Sequence, residues 1–172
     1  MAEKPFVFLI YPPVAKPCEP PAGIARLAGA LRAGGVDCRV FNASLDGILD
    51  LLHHPIVADD TWSRRAIKYR DINRKALRAR ALYGNRDRYK RAVMDLNRVL
   101  QMAGRAAGAT ISLANYALPA LSPVRSRDLI QAAETHDANP FSPTFSAKLE
   151  ALFAEKAPDL VGMSINFMSQ AL

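Results

Sequence analysis

FVFLIYPPVAKPCEPPAGIARLAGALRAGG, residues 6–35, is the stretch on which the fold is read. Its first six residues, Phe6 to Tyr11, are all aliphatic or aromatic, the pattern of a strand buried on both faces of a parallel sheet. The strand breaks into a loop holding five prolines. Ile24, Leu27, Ala28 and Leu31 then fall at helical spacing, and Gly34 and Gly35 supply a helix stop. Strand-to-helix connections in α/β proteins need only about 2–6 residues and no such stiffening. The sequence therefore points to something being held at the end of that first strand.

Working outward, VDCRVFN at residues 36–42 reads as a second strand, with Val36, Cys38 and Val40 alternating against Asp37 and Arg39. The three segments make a strand, crossover helix and strand of the usual right-handed, parallel kind. The α/β rhythm then stops for about a hundred residues, until DLVGMSI at 159–165, introduced by the helix-closing Pro158. A helix from about Thr144 to Lys156 precedes it, with Phe145, Leu149, Leu152 and Phe153 on one face, ready to cover the sheet. The expected fold is α/β: a Rossmann-like three-layer half-domain with parallel strands in the order 2-1-3 and a large helical insertion. Residues 1–52 form its first βαβ unit, 53–143 the insertion, and 144–172 the covering helix and third strand.

The insertion carries the charge. The chain has a net charge of +7, yet residues 63–105 alone hold fourteen Lys or Arg against three Asp, so the remainder is net acidic. Tyr69, Ile72, Ala76, Ala79 and Tyr83 recur at spacings of three and four, as do Tyr89, Val93, Leu96, Leu100 and Ala103, with Gly84-Asn85 as a turn between them. This predicts a basic helical hairpin, outside the sheet, whose inward seam includes Tyr69, Tyr83, Val93 and Leu100. Ser126 is read as the N-cap of a short helix starting at Arg127. HDANPFSP, from His136, is a turn-rich break.

In open parallel sheets ligands bind outside the carboxyl ends of the strands, near a reversal of strand order. Here those ends are YPPVAKPCEPPAG, NASLDG and SINFMSQ. The paired prolines fix φ and offer no N–H donors, so the first loop is stiff and partly apolar, a better wall for a large flat ligand than for a phosphate. Neither GxGxxG nor GxxxxGK[ST] occurs at this turn, which removes the main support for a dinucleotide or P-loop site. His53 and His54 are adjacent, with no third ligand nearby. Cys18 and Cys38 have no metal-ligand spacing and read as reduced thiols. Ser44 and Ser164 lack the surroundings of a hydrolase nucleophile. No apolar run reaches the roughly 20 residues needed to span a bilayer, and the chain is read as cytoplasmic.

The segments FLIYPPVAKPCEPPAGIARLAGALRAGGVDCRVFNAS and EKAPDLVGMSINFMSQAL together resemble the cobalamin (B12)-binding domain of class B radical S-adenosylmethionine enzymes. In that family a hydrophobic strand, a Pro-Pro, a variable loop, a second Pro-Pro-x-Gly and an LA..L...G helix recur. The resemblance covers about residues 6–44 and 154–172. It implies that Pro12, Pro13, Pro20, Pro21 and Gly23 shape the loop beneath a corrin ring. It also implies that Asn42, at the second strand end, and Ser164 and Asn166, at the third, lie along the ligand. Asp-x-His-x-x-Gly, with which other cobalamin domains ligate cobalt, is absent, so cobalamin is expected without histidine ligation from this loop. Strands four and five of the family domain, and the Cys-x-x-x-Cys-x-x-Cys of its S-adenosylmethionine and iron–sulfur barrel, do not occur in the chain. The expectation is an N-terminal part of a cobalamin-dependent enzyme of methyl-transferring type, its partner being the remainder of that enzyme and the chain alone catalysing nothing. The alternative, from a different class, is an adaptor that binds nucleic acid or peptide through the basic hairpin. The plainer reading of that hairpin is a solvated cationic face with the aromatics in its seam.

Overall fold

The computed structural model describes residues 4–14, 21–166 and 168–171, so Pro20 and Cys18 lie outside the described residues. Strand β1, Phe6–Tyr11, is buried along its whole length. Helix α1, Ala22–Ala33, follows the proline loop and ends where Gly35 turns the chain at φ 72°, a left-handed conformation that glycine adopts without steric cost. Strand β2, Asp37–Asn42, pairs parallel with β1 from Phe6↔Asp37 to Tyr11↔Asn42.

Helix α2, Ala43–His53, starts without an intervening loop, capped by the Asn42 side chain, which accepts from the Leu45 N–H at 3.0 Å. The insertion continues with α3, Thr61–Ala76, the single turn α4, Arg80–Tyr83, and α5, Arg86–Gly104. It is not wholly helical: β3, Thr110–Ile111, and β4, Tyr116–Ala117, form a short antiparallel pair. Helices α6, Ser126–Glu134, and α7, Ser142–Glu155, lead to β5, Leu160–Met163. Strand β5 pairs parallel with β1 from Val7↔Leu160 to Ile10↔Met163, which completes the expected order β2-β1-β5.

Alternation along β1 divides its side chains between two cores. Val7, Leu9 and Tyr11 pack with Ile24 and Ala28 of α1, whereas Phe6, Phe8 and Ile10 pack with Phe41 beneath α7. As the sequence pattern requires, Phe145, Leu149, Leu152 and Phe153 of α7 cover this second face. The Phe153 ring meets Phe8 edge-on at 5.1 Å, and Phe145 stacks on Phe41 at 6.1 Å. Strand β5 differs, since Leu160, Val161 and Met163 are exposed.

A third and larger core joins α2 to the insertion. Ile48, Leu51 and Leu52 of α2 meet Leu96, Val99 and Leu100 of α5, with Ile111, Tyr116 and Phe141 closing the end. The hairpin thus stands off the sheet, anchored through α2. Its seam corrects the sequence expectation. Leu96 and Leu100 are buried as predicted and Val93 is half-buried, but Tyr69 and Tyr83 are 39% and 60% exposed and Tyr89 40%. The inward positions of α3 are instead Ser63 and Ala66, both fully buried, small enough to bring α3 close to α5. Polar groups lock this contact. Asp60 caps α3 by accepting from the Ser63 N–H at 2.8 Å, and Arg98 of α5 donates to Asp60 at 2.7 Å and to Ser63 Oγ at 2.9 Å. Bonds from Ser63, followed by Arg98, hold the Asp60 carboxyl well below the usual carboxylate range. At α6 the expected Ser126 cap is not formed. Arg125 occupies the cap position, and buried Asp128 accepts from the Ser122 N–H at 2.9 Å.

Two glycines test this packing in opposite senses. A Cβ at Gly104 would lie 2.5 Å from the Ala109 carbonyl and 2.9 Å from Ile111, whereas one at Gly29 meets nothing within 4 Å. Gly104→Ala should destabilise by about 2 kcal/mol in urea unfolding. Gly29→Ala, in a helix interior, should stabilise by about 0.5–1 kcal/mol. Equal midpoints for the two variants would show the insertion core to be looser than described.

Candidate functional site at the carboxyl edge of the sheet

Strand order places the reversal between β1 and β5: the chain leaves β1 toward β2 on one side and returns to β5 on the other. Register brings Tyr11, Asn42 and Met163 to the same end of the sheet, and the ladder continues with the Ser164 N–H donating to Ile10 O at 3.0 Å. A ligand crevice is expected at this point of a parallel sheet.

Gly23, in the first turn of α1, lies against the end of β5 at this edge. A Cβ there would sit 3.7 Å from Ser164 Oγ and 4.0 Å from Asn166 Nδ2. Three residues singled out in the sequence, Gly23 and, more than a hundred positions later, Ser164 and Asn166, are thereby brought together. Pro21, at the cap position of α1, has no side-chain hydrogen bond to offer its first turn. Pro12 is buried and Pro13 half-buried between the strand ends. Asn42 lies at the same sheet edge, but its Oδ1 is engaged in capping α2. Pro21 is the cap residue of α1, and its carbonyl accepts from the Ala25 N–H at 3.0 Å.

On the α7 side of the edge lies a cleft of about 370 Å³, lined by Pro12, Pro13, Tyr116, Phe141, Met163 and Ile165 among others. His136, exposed in a 3-10 turn, stands at its margin. Gln170 clamps the edge from behind. Its Nε2 donates to Pro12 O at 2.7 Å, and its Oε1 accepts from the Asn166 N–H at 2.8 Å. Tyr116 is only 3% exposed, and its hydroxyl has no hydrogen-bond partner among the described residues. Burial pushes its ionisation up to about 12. The phenol is therefore a neutral donor at the cleft wall, stacked edge-on against Phe141 at 5.6 Å.

The arrangement can bind and orient; among the described residues no nucleophile is hydrogen-bonded to a base at this edge. Among the described residues no cluster of three His, Cys, Asp or Glu could hold a metal ion. His53 is engaged with Asp71 at 3.1 Å. No described helix is long and apolar enough to cross a membrane. No family model, curated protein or solved structure matches the chain.

Tyr116, Phe141 and Gln170 were not singled out by sequence reasoning. A strand of two residues carries no periodicity, and Gln170 acts through a contact that only the folded edge creates. The unpartnered hydroxyl has a measurable cost. Tyr116→Phe should raise stability by about 1 kcal/mol at neutral pH, because an unsatisfied buried polar group is removed. The folded protein holds the phenol proton more tightly than the unfolded chain, so the wild type should lose further stability as pH rises from about 10 to about 12. Tyr116→Phe should lack that component of the loss. A lower urea midpoint for the variant at neutral pH would mean that the hydroxyl has a partner.

Proposed function

We propose that the chain is the corrinoid-binding N-terminal part of a cobalamin-dependent radical S-adenosylmethionine enzyme of methyl-transferring type. The observation that carries this reading is the meeting of Gly23 with Ser164 and Asn166 at the reversal of strand order, where the resemblance puts the ligand. The residues present fit such a group. Pro12, Pro13, Gly23, Ser164 and Asn166 are uncharged, and the start of α1 at Gly23 lies against Ser164 and Asn166, where a side chain much larger than alanine's would crowd them. A corrin is broad and carries amide groups at its rim. A stiff proline floor suits its face, while a hydroxyl and a carboxamide suit its rim.

In this reading the chain's own residues do three things. Pro12 and Pro13 keep the floor free of N–H donors, so that apolar surface rather than water meets the ligand face. Ser164 and Asn166 offer hydrogen bonds to its rim, with Asn166 steadied through Gln170. Gly23 lets the start of α1 approach closely. When bound, the corrinoid supplies methyl transfer at cobalt, with the radical chemistry assigned to the barrel and its cofactors. The exposed apolar residues of β5, Leu160, Val161 and Met163, support continuation of the sheet by a further strand, as the resemblance implies.

The test is retention of cobalamin, read by visible absorption after gel filtration, in a protein that continues through the strands and barrel implied by the resemblance. The wild type should retain it, and Gly23→Ala should do so as well, since its Cβ makes only ordinary contacts. Gly23→Leu and Ser164→Leu should each lose at least about tenfold in affinity, the equivalent of about 1.4 kcal/mol. The chain by itself, with three strand ends, should bind only weakly. Full retention in both leucine variants would remove this crevice as the site.

A further inference from the structure

The outer face of the hairpin presents many cations and few acids. Of the three Asp in residues 63–105, Asp95 is buried against Trp62 and Asn73, each at 3.2 Å, and Asp71 is held by His53 at 3.1 Å and Arg74 at 3.7 Å. Only Asp87 is left to oppose the outward charge. Among the described residues, Arg78, Arg80, Arg86, Arg88, Lys90 and Arg91 take part in none of the ion pairs, which involve Arg65, Arg74, Arg98 and Arg105 on this hairpin. With Asp87 as the one acid among them and no ion pair holding them among the described residues, the field at the hairpin tip is positive.

Aromatic rings lie within this field. The rings of Tyr83 and Tyr89 stand 5.5 Å apart, both exposed, on either side of the Gly84-Asn85 turn. Their placement is fixed. The Tyr83 hydroxyl donates to Leu77 O at 2.7 Å, and Asn85 caps α5 by accepting from the Arg88 N–H at 3.0 Å. Lys68 lies over the Tyr69 ring at 5.6 Å on the same hairpin. An acidic peptide would use the cations and leave the ring faces idle. A single-stranded nucleic acid uses both, its phosphates meeting the cations and its bases stacking on the rings.

We infer that the tip of the α3–α5 hairpin is a docking surface for single-stranded nucleic acid, with Tyr83 and Tyr89 as the stacking platform and Arg80, Arg86, Arg88 and Lys90 as phosphate contacts. This inference stands independently of the corrinoid site.

The experiment is fluorescence anisotropy of the chain with a labelled oligouridine RNA of about 12 nucleotides, a length within the usual site sizes of single-strand binders. Binding should be saturable and weaken by at least about tenfold between about 50 and 200 mM salt. The double variant Arg86→Glu, Arg88→Glu should lose at least about tenfold at low salt; both positions lie in the first turn of α5, where acids favour the helix, so its circular dichroism should be unchanged. Tyr89→Leu should lower RNA affinity about fivefold or more while leaving heparin binding as it was, and Tyr83→Phe should bind RNA like the wild type. Absence of saturable binding would overturn the inference. So would unchanged RNA affinity in Tyr89→Leu, which would mark a charge-only surface, or tighter binding of polyglutamate than of RNA, which would assign the surface to an acidic peptide.

Discussion

The structure depends on β1 being paired on both edges and covered on both faces. A strand in that position can contain only residues that tolerate complete burial, and Phe6–Tyr11 has no charge and no glycine. Its alternation sends three side chains to α1 and three toward α7, so the two layers are fixed by one strand. Its parallel pairing then brings the ends of β2 and β5 to the end where the prolines begin. The candidate site is a consequence of that alignment. Gly23 reaches Ser164 and Asn166 because the chain leaves β1 in one direction and β5 comes back on the other side.

The insertion is a second packing unit with its own logic. Apolar residues of α2 and α5 supply its core, and a polar lock of Asp60, Ser63 and Arg98 sets the approach of α3. Engaging Asp60, Asp71 and Asp95 in contacts with neighbouring side chains has a consequence at the surface, since it leaves Asp87 as the one acid of residues 63–105 not so engaged. The same insertion contributes Tyr116 and Phe141 to the carboxyl-edge cleft. The segment with no α/β rhythm therefore forms part of the wall of the site that the α/β segments define.

The sheet was legible because burial on two faces leaves continuous apolar runs, and parallel order follows from the long connections between them. Helix α7 was legible because Phe145, Leu149, Leu152 and Phe153 are large and regularly spaced. The hairpin seam was misread because apolar spacings of three and four fit two faces of α3. Weighting by side-chain size favoured Tyr69 and Ile72, while close helix approach selected Ser63 and Ala66. Helix α2 was overlooked, although Asn42 followed by Ile48, Leu51 and Leu52 carries both a cap and an apolar face. At the site, the residues next to strand ends were legible and those brought in by the insertion were not. Tyr116 and Gln170 act through contacts between segments distant in sequence, which no local pattern encodes.

The central claim is that the crevice between the ends of β1 and β5 receives a corrinoid. It is tested most directly by amide chemical-shift mapping of the chain as hydroxocobalamin is added, a measurement that registers even weak binding. Coincident shifts at Gly23, Ser164 and Asn166, with the tip of the hairpin unmoved, are the predicted result. Unmoved signals at those three residues, or shifts confined to the hairpin, would contradict it.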